Sequence, residues 1–380
     1  MASHKALKIL HLTTHLNIGG ITSYIEITGS PLLQKGYQVG AISSGGNLAE
    51  DLKHKGFDIF QFPIRAKSEL HPKLYWNLPA ITALVKKEKA DLIHAHTRVT
   101  QVLAFFISKT AKIPFITTAH GFYKPRFGRK IFGCWGERVI AISPLVAEEL
   151  QKTHGVPEKK IRLVQNSINA EEFQKRYSQK DPQSMRRELG IPIDVLVAGS
   201  ISRLVEDKGH AYLIEAVQKL KKQGHNIFLV ILGDGREKDR LEKLIKERGL
   251  NENAKVLSAV KDVTGVLSVI DIFVHPATYR EGFGFSIAEA MVVKKPVVAT
   301  NIWAINSIIQ DGVNGFLAEP KSSDALVKAI KFIIENPKEA QMIAENGQKM
   351  ALKLCSVDRM VNEIEKVYEE VVDENRIKVK

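Results

Sequence analysis

The sequence predicts an α/β protein of two domains, each a doubly wound parallel sheet with helices on both faces. Three observations lead there. The chain has 380 residues, and at about 150 residues per domain that suggests two domains, each with its own core. Short apolar runs alternate with amphipathic ones, and strand–helix alternation implies parallel pairing through right-handed crossovers. The alternation stops at a polar stretch and then begins again.

The elements follow in order. Residues 7–12 read as a strand, followed by the loop Asn17-Ile18-Gly19-Gly20 and a helix from about 21 to 34 that Lys35-Gly36 ends. Residues 37–43, 57–62, 91–95, 114–118 and 138–142 are further strands. They are continuous apolar runs, as strands buried on both faces should be. The stretch from about 165 to 192 is polar, contains Lys-Asp-Pro and lacks a strong period, so it reads as the connection between domains. Beyond it, strands at 194–198, 227–232, 256–257, 271–275 and 296–300 alternate with helices at 209–222, 239–248 and 285–293. From residue 324 onward the chain reads as almost wholly helical. The expected domains are 1–170 and 186–356, with a terminal helix over 357–380 packed back onto the first.

Composition narrows the function classes. With 44% hydrophobic and 26% charged residues the chain is an ordinary globular one, which excludes extended disorder. Lys and Arg number 55 against 42 Asp and Glu, a formal charge of +13 that favours anionic partners. A basic surface that merely keeps the protein soluble is the plainer account of the same charge. Cys134 and Cys355 are two distant cysteines, neither a disulfide framework nor a four-ligand zinc site. The amino terminus runs into an apolar strand too short for a signal segment, and no apolar run reaches the ~18 residues that span a bilayer. A cytoplasmic protein is expected, one that can still lie on a membrane surface.

In doubly wound folds, ligands sit beyond the carboxyl ends of the strands, and two such domains facing each other would form a cleft. Four polar clusters follow strands in the second half. Gly199-Ser200-Ile201-Ser202-Arg203 leads to Lys208-Gly209, where an Arg and a Lys can hold a diphosphate. Gly233-Asp234-Gly235 is a tight turn that allows close backbone approach. Glu281-Gly282-Phe283-Gly284 precedes an apolar helix, Phe285-Ser286-Ile287-Ala288-Glu289-Ala290-Met291-Val292-Val293. Asp311-Gly312-Val313-Asn314-Gly315 is a turn-rich loop.

The third cluster says most. An all-round apolar helix should be buried, and Glu289 inside it then needs hydrogen-bond partners. A ribose diol would supply two donors, and the helix start at Gly284 to Ser286 would offer free amides to a phosphate. Two glutamates eight apart also occur by chance, glutamate near a helix start is favoured by the helix dipole, and Glu289 can equally pair with a core cation. His120, after a strand, is by itself more often a satisfied structural group than a site residue. The segment around Phe122, Tyr123, Lys124, Arg126, Arg129 and Lys130 mixes basic and aromatic side chains with no acid. That suits a membrane interface or a phosphorylated lipid acceptor, and equally a solvated loop.

Residues 279–320, the Arg203/Lys208 and Gly233-Asp234-Gly235 segments, Gly19-Gly20, Ala119-His120-Gly121, Ser143-Pro144 and Asn166-Ser167-Ile168 together resemble the GT4 family of retaining glycosyltransferases. The resemblance covers nearly the whole chain. It implies the GT-B fold, two Rossmann-like domains facing across a central cleft. It implies that Arg203 and Lys208 bind the donor diphosphate, that Glu289 binds the ribose, and that Glu281 holds the donor sugar. Gly233 and the amides around Phe283, Gly284, Phe285 and Ser286 would complete the donor site. Gly19 and Gly20 would approach the phosphate or the acceptor, and His120 would lie near the transferring sugar. Fixed cations and a helix dipole would neutralise the leaving diphosphate without a metal, and no Asp-x-Asp is present to hold one. No metal and no other cofactor are expected. Two segments depart from the family. Lys294-Lys295 stands where a glycine is usual, and Trp303-Ala304-Ile305-Asn306-Ser307 replaces a Gly-Gly-x-x-Glu region. Trp303 would either narrow the pocket, stack on a sugar, or be a buried structural residue, the last being favoured.

The expected activity is therefore transfer of a sugar from a nucleotide-diphosphate sugar, UDP-sugar first and GDP-sugar second, to a glycan or glycolipid acceptor. The setting would be cell-envelope, lipopolysaccharide or capsule biosynthesis, with the protein peripheral on the inner face of the cytoplasmic membrane and in contact with anionic lipid. A nucleotide-sugar 2-epimerase of the same fold and a non-catalytic nucleotide-sugar-binding protein are the alternatives. A dehydrogenase would want Gly-x-Gly-x-x-Gly after a strand, and Gly233-Asp234-Gly235-Arg236-Glu237-Lys238 lacks the third glycine. No nucleic-acid module signature is present.

Overall fold

The computed structural model describes residues 6–66, 68–123, 129, 132–303 and 305–379, with side chains up to 377. The chain forms two compact units: residues up to 166 together with the segment from 357, and residues 167–356.

The first unit is built on a seven-stranded sheet in the order β3-β2-β1-β4-β5-β6-β7. Its strands are β1 (Lys8–Leu12), β2 (Gln38–Ser43), β3 (Asp58–Gln61), β4 (Leu92–Ala95), β5 (Phe115–Ala119), β6 (Val139–Ala141) and β7 (Ile161–Leu163). All neighbours pair in parallel, with His11 of β1 level with His94 of β4. Strand β7 escapes sequence reading because it is three residues long and ends on the exposed Leu163. One face of the sheet buries Ile9, Leu92, Ile116 and Ile140 under the helices Gly20–Gln34 and Val357–Val379. The other buries Leu10, Leu12, Ile93 and Phe115 under Leu78–Lys87 and Arg98–Ala111. Helix Arg98–Ala111 starts where it does because Thr97 and Thr100 form a reciprocal capping box. Helix Pro144–Lys152 begins with Ser143 accepting from the Val146 amide and proline at its first position.

The terminal helix is held by both burial and charge. Met360, Val361, Ile364, Val367, Tyr368, Val371 and Val372 are all buried. Glu370 accepts from Arg138 at 2.7 Å and from Arg162 at 3.0 Å, and Lys35 pairs with Glu365. The carboxyl of Glu370 is held below its ordinary range, first by the Arg162 hydrogen bond and then by Arg138.

The second unit has a six-stranded parallel sheet, β10-β9-β8-β11-β12-β13. Its strands are β8 (Leu196–Ile201), β9 (Ile227–Leu232), β10 (Ala254–Leu257), β11 (Ile272–His275), β12 (Val297–Thr300) and β13 (Phe316–Ala318). One core lies between the sheet and helices His210–Lys222 and Ser323–Glu335. The other lies beneath helix Phe285–Val292. The stretch expected as an irregular connection instead carries two helices, Ala170–Ser178 and Pro182–Leu189. Ala170, Phe173 and Ile191 insert into the core of the second unit. These helices bury so few side chains that they leave almost no apolar period in the sequence. Their caps, Asn169 and Asp181, are the legible signal.

Ile364 is fully buried, and Ile364→Ala should cost about 2–5 kcal/mol. Urea unfolding followed by circular dichroism measures this, and an unchanged midpoint would show that the terminal helix does not support the first unit.

Candidate functional site

The densest polar cluster of the second unit lies beyond the carboxyl ends of β8, β9 and β11. After β8 the chain passes Ser202 and Arg203, forms a short 3-10 turn over Glu206–Lys208, and enters helix His210–Lys222 through Gly209. Backbone bonds pin this loop on two sides. The Leu204 amide donates to the Asp234 carbonyl (2.9 Å), and the Thr278 amide donates to the Asp207 carbonyl (2.8 Å). The glycines are forced by these approaches. A Cβ on Gly209, which has φ +66°, would lie 2.0 Å from the Pro276 oxygen, and one on Gly233 would lie 1.9 Å from the Ser202 oxygen.

Lys208 forms an ion pair with Glu281, with only 11% and 19% of the two side chains exposed. Nε2 of His275, at the end of β11, lies 3.3 Å from the same carboxylate. Burial pushes the Glu281 carboxyl up, but the His275 hydrogen bond and the Lys208 charge outweigh it and hold the group well below the usual carboxylate range. Burial lowers His275, which leaves it neutral with its proton on Nε2 toward Glu281. Its Nδ1 is then a buried nitrogen without a partner. Sequence reasoning did not select His275; the signal was a histidine ending a buried strand. Ser202 completes the loop through a 3.0 Å contact between its hydroxyl and Nε2 of the buried His210.

Arg203 is exposed and makes no ion pair among the described residues. Glu289 sits in helix Phe285–Val292, half-buried, with no hydrogen bond to its carboxylate among the described residues. Burial pushes its carboxyl up to about 7, against a downward pull from Arg176 and an upward push from Asp262. The pairing with a core cation that the sequence allowed is therefore not formed as a contact. Gly284, at φ +80°, opens that helix and no side chain caps it, so its first amides stay available to an anion. Phe283 and Phe285 pack edge to face, 5.1 Å apart, beside this opening.

Three further segments are now explained. Trp303 is not the buried residue expected: it is 46% exposed, and the Arg280 guanidinium lies 5.0 Å from its ring. It follows β12 on a loop, where an aromatic ring finds a cation rather than the core. Lys294 adopts φ +57°, the left-handed conformation that explains why glycine would be usual there. The Asp311–Gly315 loop is a structural turn, in which Asn314 accepts from the Gln310 amide (2.7 Å) and donates to the Ile308 carbonyl (3.0 Å).

In the first unit, Gly19 and Gly20 lie exposed at the start of helix Gly20–Gln34, and a Cβ on Gly19 would meet nothing within 4 Å. Two bonds hold this loop: the Ile18 amide donates to Oδ1 of Asn47 (3.0 Å), and the Asn47 amide donates to Oδ1 of Asn17 (3.2 Å). His120 follows β5, half-buried, with its Nε2 2.9 Å from Nδ1 of His96. Tyr123 is tied inward. Its amide donates to Glu149, Gln101 reaches its hydroxyl, and Arg129 stacks on its ring at 4.7 Å. Phe122 is half-buried beside it. Lys124, Arg126 and Lys130 lie outside the described residues.

Sequence reasoning also missed the buried neighbours of His120, namely His11, His94 and His96. The signal was His94-Ala95-His96 on a strand, which puts both rings on one face. Ring nitrogens of His11, His94 and His96 come within 4.8 Å of one another, close enough to suggest a metal. The finer geometry argues otherwise. His11 Nδ1 and His96 Nε2 are 2.8 Å apart, nearer than the ~3.3 Å between two nitrogens on one tetrahedral ion. His94 is engaged at both nitrogens, by the Tyr368 hydroxyl at 2.7 Å and the Thr118 hydroxyl at 2.6 Å.

Two doubly wound units, the second with cations, a carboxylate and an uncapped helix start at its strand ends, define a GT-B glycosyltransferase. Residues 181–350 match the family described as glycosyl transferases group 1, and residues 18–172 match glycosyltransferase family 4. The chain belongs to the GT4 family of glycosyltransferases. It is 26% identical to an uncharacterized glycosyltransferase, MJ1607, of Methanocaldococcus jannaschii, over 92% of this chain and 94% of that one. It is 23% identical to the UDP-Gal:alpha-D-GlcNAc-diphosphoundecaprenol alpha-1,3-galactosyltransferase of Escherichia coli, over 98% and 99%. Its fold matches the crystal structure of Anabaena HepE in complex with UDP and glucose at a TM-score of 0.82, with 23% identity over 96% and 100% of the chains.

The Glu289 carboxyl yields a pH prediction. Between its ordinary value of 4.5 and about 7, the folded protein holds a proton that the unfolded chain has released, so stability falls as pH rises through that window. Glu289→Gln should flatten this slope, giving a smaller loss of melting temperature between pH 5 and pH 8 than in the wild type. Parallel slopes would place the carboxyl at an ordinary value.

Proposed function

We propose that the protein transfers a sugar from UDP-sugar to a glycan or lipid-linked acceptor of the cell envelope, with retention of configuration and without a metal. One observation carries the donor half of this reading: beyond the strand ends of the second unit Lys208 and Glu281 form an ion pair, with Arg203 on the loop that leads to Lys208 and Glu289 in the helix that follows Glu281, whose start no side chain caps. Arg203, exposed and without an ion pair among the described residues, offers a cation to a phosphate oxygen. Lys208, at present matched by Glu281, becomes a second one when a diphosphate shares its charge. The ionised Glu281 accepts donor-sugar hydroxyls, and Glu289, without a hydrogen bond among the described residues, accepts the two ribose hydroxyls. Gly233 and the amides of Phe283, Gly284, Phe285 and Ser286 let the phosphate and sugar approach closely.

The chemistry then needs no cofactor. The bond from the anomeric carbon to the diphosphate breaks, the acceptor oxygen bonds to that carbon on the same face, and the acceptor proton leaves with the diphosphate. Negative charge grows on the leaving group, and Arg203, Lys208 and the helix dipole stabilise it. UDP is favoured over GDP because HepE, of like fold, was crystallised with UDP. The envelope acceptor is supported by the galactosyltransferase relative, whose acceptor is a diphosphoundecaprenol. Among the described residues no helix is long and apolar enough to cross a membrane. A peripheral place on the inner face of the cytoplasmic membrane fits a lipid-linked acceptor and a chain of formal charge +13.

A thermal-shift panel of UDP- and GDP-sugars tests the reading. At least one UDP-sugar should raise the melting temperature of the wild type. Arg203→Ala should weaken its binding about ten- to a hundredfold, the range of a charged hydrogen bond. Equal stabilisation of wild type and variant would remove Arg203 from the donor site and defeat the proposal.

A further inference from the structure

Three imidazoles run in file from the interior of the first unit toward its surface. His11 lies on β1, His96 one residue past β4 and His120 one residue past β5. The strand register, with His11 level with His94 and Ala95 level with Thr117, sets them on one face of the sheet. Nδ1 of His11 is 2.8 Å from Nε2 of His96, and Nδ1 of His96 is 2.9 Å from Nε2 of His120. His11 is fully buried and His96 is 1% exposed, whereas His120 is half-buried. Tyr24 walls the file, its ring edge-on to His96 at 5.7 Å and to His120 at 4.8 Å. His94 flanks it from the other side, already bonded to Tyr368 and Thr118.

Burial keeps all three rings neutral: it lowers His11 and His120 to about 3 and His96 well below its ordinary value. The charged groups that act on the three are other histidines, and no carboxylate is among them. A neutral imidazole has one N–H and one lone pair. Each of the two contacts in the file needs one of each. His96 must therefore donate on one side and accept on the other, which leaves only two proton patterns: every ring protonated on Nδ1, or every ring protonated on Nε2. The inner end decides between them. Nε2 of His11 is buried and has no hydrogen-bond partner among the described residues. In the first pattern it is a bare lone pair, and in the second an orphaned N–H, the costlier and rarer defect in folded proteins. The first pattern is selected, and His120 then presents Nδ1–H outward.

We propose that His11 and His96 are positioning residues that lock His120 as its Nδ1–H tautomer, making it a fixed neutral hydrogen-bond donor to a substrate oxygen and not a proton acceptor. This rests on the glycosyltransferase reading for the identity of the substrate, a sugar or phosphate oxygen. A preset donor of this kind favours negative charge on that oxygen without any movement at the moment of reaction. The file differs from a catalytic triad in having no acid at its inner end. Free histidine prefers the opposite tautomer, so the lock has a visible signature.

The test is long-range proton–nitrogen correlation NMR on the full chain labelled with 15N-histidine, with His120→Ala to assign the ring. In the ligand-free wild type, His120 should show a protonated Nδ1 and a bare Nε2, unchanged from pH 6 to pH 8. In His11→Phe, which keeps the volume and removes the inner donor, His120 should shift toward Nε2–H. His96→Gln is the second variant should that protein not fold. UDP-sugar hydrolysis should fall about a hundredfold in His120→Ala and about tenfold in His11→Phe, with KM little changed. A wild-type His120 protonated on Nε2, or one that titrates between pH 6 and pH 8, overturns the lock. A locked tautomer with full hydrolysis in His11→Phe overturns the positioning role. A wild type that neither binds nor hydrolyses any UDP-sugar indicts the transferase reading instead, and the NMR result still decides the lock.

Discussion

A carboxylate taken out of water needs a cation beside it, and the Lys208–Glu281 pair meets that need beyond the strand ends of the second unit. Much of the surrounding geometry serves to bring the two together. Lys208 arrives on a 3-10 turn that the Asp207–Thr278 backbone bond ties to the loop carrying Glu281. Gly209 lets that turn pass against the Pro276 carbonyl. His275 gives the carboxylate a second donor from the end of a buried strand. The pair therefore keeps an ionised acid and a cation within reach of a ligand, while the fold is spared an uncompensated buried charge.

The same cluster distributes charge unevenly, and that unevenness carries function. Among the described residues Lys208 is matched and Arg203 is not, and burial pushes Glu289 toward its neutral form. Sites built for a diphosphate and a diol have this character, because the ligand itself completes the missing pairs. The first unit shows a different solution. Its strand ends hold neutral imidazoles bonded to one another and to hydroxyls, with the terminal helix supplying Tyr368 from far along the chain. Polar groups are thus buried there without charge, and rigidly.

Much of the architecture was legible because parallel buried strands write themselves as apolar runs, and because polar residues directly after such runs fall at one edge of a sheet. Lys208 and Glu281, which the structure pairs, were selected in this way. What was missed left little trace in local pattern. The helices Ala170–Ser178 and Pro182–Leu189 bury too few side chains to show a period, and β7 is short and half-exposed. Trp303 was misjudged because its partner, Arg280, sits on a different loop.

The sequence by itself determined two α/β units, the order of most of their strands and helices, and which loops carry charge, since those depend on periodicity and on residues near one another in the chain. Only the tertiary structure decided that Glu281 is shared by Lys208 and His275, that Glu289 has no hydrogen-bond partner among the described residues, and that His11, His96 and His120 form a single file. Those facts depend on strand register and on distant segments meeting, Lys208 and Glu281 from 73 residues apart and His11 and His96 from 85. No local preference in the chain encodes such a distance.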